Sequence, residues 1–198
     1  MAAGAQLPLR ERRRVADMKR VQLRAVELFD AHGYEAVSVE GVAAVAGVSP
    51  VSIYRWFGAK ERLVLWDDYD PGLLDAVAER LADLEPLEAV RDAVIAELGR
   101  VYDKDRELVL ARTKLVFREP PLLAAALSDA WAMQEALVGL FGREQVAGDG
   151  SAHRALAGAA VGVLTAAIEA WQRQDGRRSL AEHVHEDFEV LRAALWTI

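Results

Sequence analysis

Cysteine is absent from the 198-residue chain, so disulfides, thiolate nucleophiles and cysteine metal ligands are excluded. Strand signals are scarce, because no stretch alternates apolar and polar residues between Asn-Gly or Asp-Gly turns. There is no internal repeat and no low-complexity tract. No phosphate-cradling glycine loop, nucleophile elbow or Cys/His cluster is present, so the sequence makes no case for an enzyme or a metal cofactor. The longest apolar run, 155–168, is shorter than the ~20 residues of a membrane span. The opening MAAGAQLPLRERRR has no apolar core of signal-peptide length ahead of its arginines. These features lead us to expect a soluble cytoplasmic protein with no membrane association.

What is present fits a globular chain, with 53% hydrophobic and 28% charged residues. The net charge of −7 is unevenly distributed. Residues 1–62 carry ten Lys/Arg against seven Asp/Glu, whereas residues 63–198 carry fourteen against twenty-four. A small basic module attached to an acidic body follows, although Arg10, Arg12, Arg13 and Arg14 supply most of the excess.

Helical spacing recurs throughout and predicts an all-α fold of nine or ten helices. The first helix is expected from about Arg10 to His32, with Val15, Met18, Val21, Leu23, Ala25, Val26, Leu28 and Phe29 on its apolar side and Gly33 as its stop. Ser38 can cap a short helix over 39–46, and Ser49 another over 50–56. A fourth helix is expected from Ala59. Others follow at roughly 71–82, 86–103 and 105–118, then from Pro120 to about Val146 and from Ser151 to Gln174. Ser179 and Glu182 form a capping box for the last.

The stretch AGVSPVSIYRWF, residues 46–57, has helix-turn-helix spacing. Val42, Val45, Val48, Ile53 and Phe57 can share a miniature core across the turn at Gly47. The outer side of the second helix is then free to enter a DNA major groove, where base edges are distinguishable. A helical hairpin that merely packs is the alternative.

The surrounding residues decide between them. Phe29, Gly33, Tyr34, Ser38, Ala46, Gly47, Val48, Ser49, Tyr54, Phe57 and Lys60 stand at the spacing of the DNA-binding domain of the TetR family of bacterial transcriptional regulators, which this region resembles. The resemblance implies a DNA-binding domain over 1–62 and a ligand-binding and dimerisation domain over 63–198. It further implies a homodimeric repressor, released from a palindromic double-stranded operator by a small hydrophobic effector. Pro50, Val51, Ser52 and Arg55 are expected to face the groove. Arg55 suits guanine O6 and N7, and Val51 a thymine methyl. Tyr54, Trp56 and Lys60 are expected on phosphates, as are the helix termini at Ser38 and Ser49. Family members often carry Ser-Lys-Gly-Thr/Ser where this chain has Ser49-Pro50-Val51-Ser52, so the operator is expected to differ.

In the body, Ala155, Gly158, Ala159, Gly162 and Ala166 form a small-residue face suited to close helix approach. Leu180, Val184, Phe188, Leu191 and Leu195 run at helical spacing on the last helix. Gly158, Gly162, Val184, Phe188, Leu191 and Leu195 are the candidate dimer contacts, with an intramolecular core as the alternative. Trp66, Tyr69, Tyr102, Arg112, Phe117 and Trp131 are the candidate pocket residues. The run LVLWDDYDP with Arg112 and REPPLLAAAL is similar to the mycofactocin-system regulators within the family, which implies an acyl-coenzyme A-like ligand. Arg112, Lys114 or Arg118 would then meet an anionic head group. An architectural DNA-binding protein without inducer, or a small helical enzyme, are the rival readings.

Overall fold

The computed structural model describes residues 8–66 and 72–195, without the side chains of 100–104 and 195. The chain forms two compact units divided between Asp68 and Tyr69. All elements among the described residues are helices. The first unit holds α1 (Leu9–His32), α2 (Val39–Ala46), α3 (Pro50–Phe57) and α4 (Arg62–Leu65). The second holds α5 (Leu73–Arg80), α6 (Pro86–Arg118), α7 (Pro120–Arg143), α8 (Gly150–Arg173) and α9 (Leu180–Leu195).

In the first unit α1 packs on α2 and α4, and α2 on α3. The buried face of α1 carries Met18, Val21, Ala25, Val26 and Phe29. Leu23, expected on this face, is exposed. It stands two residues from both Val21 and Ala25, roughly 200° around the helix, so it points away from them. The unit extends beyond the expected boundary at residue 62 for a specific reason. The buried Gln22 amide donates to the carbonyls of Val64, at 3.2 Å, and Trp66, at 2.7 Å. Leu63 and Val64 are themselves fully covered. The helix expected from Ala59 is confined to the four residues of α4.

In the second unit α8 contributes Ala157, Ala160, Ala167 and Trp171 to a core shared with Leu137, Leu140 and Phe141 of α7 and Ala89, Val90 and Ala93 of α6. Leu180, Val184 and Phe188 of α9 are buried in the same core. Val184 and Phe188 were expected at a dimer contact; side chains so fully covered by their own chain have no surface left for a second copy. The two helices expected at 86–103 and 105–118 form one run, broken locally by the non-helical backbone of Asp105 (φ −121°, ψ 16°). Beyond that break, the Arg106 guanidinium donates to the Gly176 carbonyl. Lys114 meets Asp175 at 2.6 Å and holds its carboxyl below the usual carboxylate range, so α6 is tied to the α8–α9 turn.

Both halves of the Ser179–Glu182 capping box form, with the Ser179 amide on Glu182 at 2.9 Å and the Glu182 amide on Ser179 Oγ at 3.1 Å. By length and composition, α8 is apolar enough to cross a membrane. Its covered face nevertheless belongs to the core just described.

Replacing Gln22 with Leu keeps the volume and removes the buried amide donor that the Val64 and Trp66 carbonyls share. The variant is expected to lose about 1–3 kcal/mol of stability in urea titration of the full chain, detected through the first unit.

Candidate nucleic-acid interface

An eight-residue helix needs firm ends, and both helices of the motif have them. Ser38 Oγ accepts the Gly41 amide at 3.1 Å, and Ser49 Oγ accepts the Ser52 amide at 3.1 Å. Pro50 occupies the first turn of α3, where a missing N–H costs no helical hydrogen bond. Between the helices Gly47 is left-handed (φ 66°, ψ 37°), a conformation that a Cβ would strain. The Val48 amide returns to the Ala43 carbonyl at 3.0 Å and closes the turn.

This arrangement fixes which side of α3 faces out. Ile53 and Phe57 are buried with Val42 and Ala43 of α2. Val51 is 74% exposed and Tyr54 49%, and Arg55 lies on the same outer face. Ser52 and Trp56 are half-buried at its edges. The Ser52 hydroxyl sits 2.9 Å from Ser49 Oγ, so part of its hydrogen-bonding capacity is used within the helix. Val45, expected in the shared core, is 56% exposed. It is three residues beyond Val42, but the α2 face that meets its neighbours turns through Ala43 and Ala46 instead.

Lys60 has a role that its sequence position does not reveal. Its ammonium donates to the Tyr34 carbonyl at 2.6 Å and lies 4.1 Å from the centre of the Tyr34 ring. The Tyr34 hydroxyl donates to Glu61 at 3.1 Å, and the ring meets Phe29 edge-on at 5.1 Å. Lys60 therefore binds the segment after α3 to the α1–α2 connection. Arg20 makes a second tie, donating to the Ala46 carbonyl at the end of α2 at 2.6 Å. A cation there also suits the negative end of the helix dipole.

Beside α3, the first turns of α1 complete an open groove lined by Arg10, Arg13, Arg14, Asp17, Arg55 and Trp56. From sequence the basic cluster at residues 10–14 reads either as an arm along a DNA backbone or minor groove or as a solvated first turn, and its place beside α3 comes from the fold.

The described candidate pocket residues are spread over the first unit and over α6 and α7 of the second. Trp66 belongs to the first unit, where its ring meets Phe57 edge-on at 5.9 Å. Trp131 is 60% exposed on α7. It lies two residues from Met133, which packs on the core, and so faces the opposite way. Phe117 and Arg112 are half-buried on α6. Lys114 and Arg118 are paired with Asp175 and Glu119. Tyr69 and the side chain of Tyr102 lie outside the described residues.

Two short capped helices about a left-handed glycine, with their buried sides turned in and one exposed face turned out, define a helix-turn-helix DNA-binding protein. Residues 24–65 match the model of the bacterial regulatory proteins of the tetR family, and residues 84–196 match that of the MftR C-terminal domain. The chain belongs to the TetR family and is a DNA-binding transcriptional regulator. It is 38% identical over 131 residues to the HTH-type transcriptional regulator TcmR of Streptomyces glaucescens, a match covering 63% of this chain and 57% of that protein. It is 27% identical over 192 residues to MftR of Mycobacterium tuberculosis, named as a candidate mycofactocin biosynthesis transcriptional regulator, with 93% of each covered. Among solved structures, Thermus thermophilus FadR, a TetR-family repressor in complex with lauroyl-CoA, is similar with a TM-score of 0.54 and 23% identity, covering 88% of this chain and 92% of that one. The SmeT–triclosan complex gives 0.62 and 13%, covering 90% and 91%. These likenesses are of fold.

Because Lys60 is engaged internally, Lys60→Ala is expected to lower stability by about 1 kcal/mol or more, as well as changing DNA affinity. Denaturation of the DNA-free protein checks this, since loss of a phosphate contact alone would leave the midpoint unmoved.

Proposed function

We propose that two copies of this chain bind a palindromic operator, each placing α3 in a major groove, and that a small hydrophobic ligand releases the complex. The observation that carries this reading is the division of α3 itself. Val51, Tyr54 and Arg55 stand exposed, whereas Ile53 and Phe57 hold the helix from behind. Arg55 reads guanine through O6 and N7, and Val51 meets a thymine methyl. Tyr54, Trp56 and the free amides at the helix termini capped by Ser38 and Ser49 meet phosphates, which sets register without reading sequence. Pro50 presets the first turn and leaves Val51 leading. The spare N–H bonds of Lys60 remain open to a phosphate.

Dimerisation is supported by what α8 leaves uncovered. Only 28% of its most apolar stretch is buried within the single chain. Gly162 and Ala166 are exposed on the side away from the core, with Gly158 half-buried beside them. On α9, Val190 is 69% exposed and Leu191 half-buried, while the side chain of Leu195 lies outside the described residues. A second copy packed on this stripe would remove the exposed apolar surface at close helix separation. Binding to successive major grooves requires the two α3 helices about 34–36 Å apart, one turn of duplex.

The match of the C-terminal region to the MftR domain supports a ligand in the second unit. With Lys114 and Arg118 already paired with carboxylates, an apolar ligand suits the unit better than one that needs a strong anion site. An acyl-coenzyme A, as in the lauroyl-CoA complex of the similar FadR, would have to place its phosphates away from these two pairs. The cytoplasm is the compartment this function requires.

Arg55→Ala is expected to lose about 1–3 kcal/mol of discrimination at one base pair per half-site, with other positions unchanged. Competition among operator variants selected from a random duplex pool measures this, and a uniform loss across variants would reject the base-reading role. Gly162→Arg and Val190→Asp are each expected to convert the dimer to monomer by sedimentation. Operator binding should weaken by about 100-fold or more as bivalency is lost.

A further inference from the structure

We infer that the groove between the start of α1 and the flank of α3 is a second DNA-binding element, which holds the sugar–phosphate backbone beside the major groove that α3 enters. The inference rests on the proposed DNA reading and adds a surface that the helix-turn-helix does not contain. Four arginines line the groove, Arg10, Arg13, Arg14 and Arg55, with Trp56 and Asp17 between them.

The charges are not equivalent. Arg14 is paired with Glu11, and Asp17 with Arg20 at 2.8 Å, so that carboxylate is already answered from outside the groove. Arg10 and Arg13 are exposed and have no carboxylate partner among the described residues. Two unpaired guanidinium groups one helical turn apart project from α1 towards the same groove as Arg55. A chain of net charge −7 concentrates uncompensated positive charge here without offsetting it internally.

The groove also suits a backbone better than a compact anion. It is open and shallow, so it can follow an extended polyanion but cannot enclose a small one. Trp56 is half-buried and offers its indole N–H and apolar face to a deoxyribose. Because Arg55 forms one wall, a strand in the groove adjoins the groove that Arg55 reads. Arg10 and Arg13 each take one phosphate, and Arg14 keeps the first turn of α1 in place through Glu11. Contacts of this kind add affinity and fix orientation but carry no base information.

The test uses the full-length protein and a duplex recovered from a random pool by the wild type, in core length and with added flanks. The Arg10→Ala/Arg13→Ala double variant should keep the base preference of the wild type. Its plot of log affinity against log salt, over about 50–200 mM, should be shallower by about 1.8 per subunit, since each phosphate contact contributes about 0.9. Arg10→Lys/Arg13→Lys should restore most of the slope. The wild type should lose affinity when the flanks are removed, and the double variant should not. An unchanged slope would overturn the inference, and so would a changed base preference at flanking positions, because backbone contacts do not read sequence. If the wild type recovers no preferred duplex, the DNA reading itself fails; specific binding with an unaltered slope rejects the groove alone. Both arginines are exposed, and a matching thermal midpoint confirms that the variants fold.

Discussion

A helix of eight residues does not persist alone in water, and both helices of the DNA-reading motif are that short. Everything in the first unit answers to this constraint. Their ends are closed by Ser38 and Ser49, their junction is set by left-handed Gly47, and their inner faces are covered in relay, α2 by the long α1 and α3 by α2. The remaining ties are polar and pass through carbonyls. Gln22 holds α4, Arg20 the end of α2, and Lys60 the α1–α2 connection. Each satisfies a backbone acceptor that the short elements leave open, so α3 is presented by a rigid frame although little of its own surface contributes to holding it.

The same bookkeeping of partners sorts the cations. Lys60 and Arg20 are committed to carbonyls within the unit, and Arg14 to Glu11. Arg10, Arg13 and Arg55 remain for an external anion. A sequence count of basic residues treats these as alike, yet removal of Lys60 or Arg20 acts on folding whatever it does to binding, whereas removal of Arg10, Arg13 or Arg55 acts on binding. The acidic balance of 63–198 sharpens the contrast, because a polyanion is repelled by most of the chain and attracted at one place.

Legibility in the sequence followed the range of the interaction. The bounds of α2, the serine caps, the Gly47 turn and the Ser179–Glu182 box are set within a few residues, and local pattern placed them. The break in α6 was also legible near Asp105, although the helix continues on both sides of it. Assigning a face failed where several neighbours compete for it. Val45 and Leu23 have apolar side chains at helical spacing but no partner opposite. Val184 and Phe188 have the right spacing for a second subunit and are used by their own chain instead. Aromatic identity alone did not set a side chain's surroundings, since Trp66 meets Phe57 within the first unit and Trp131 is exposed. The convergence of residues 10–14 on Arg55 depends on the packing of α1 against the motif, and no local pattern encodes it.

What distinguishes this regulator within its family follows from the narrowness of its reading face. With the Ser52 hydroxyl shared with Ser49 and Lys60 turned to Tyr34, few groups on α3 are left to discriminate bases. Val51 offers shape and a methyl contact but no hydrogen bond, so it favours thymine weakly and tolerates more than a polar residue would. A single copy reading so little would bind many duplexes nearly alike. Under the proposed reading, specificity therefore comes from requiring two such faces at a fixed spacing. Affinity then comes from phosphate contacts, including those in the arginine groove. Any ligand that alters the spacing removes specific binding without touching a single base contact, provided it binds one arrangement of the dimer better than the other.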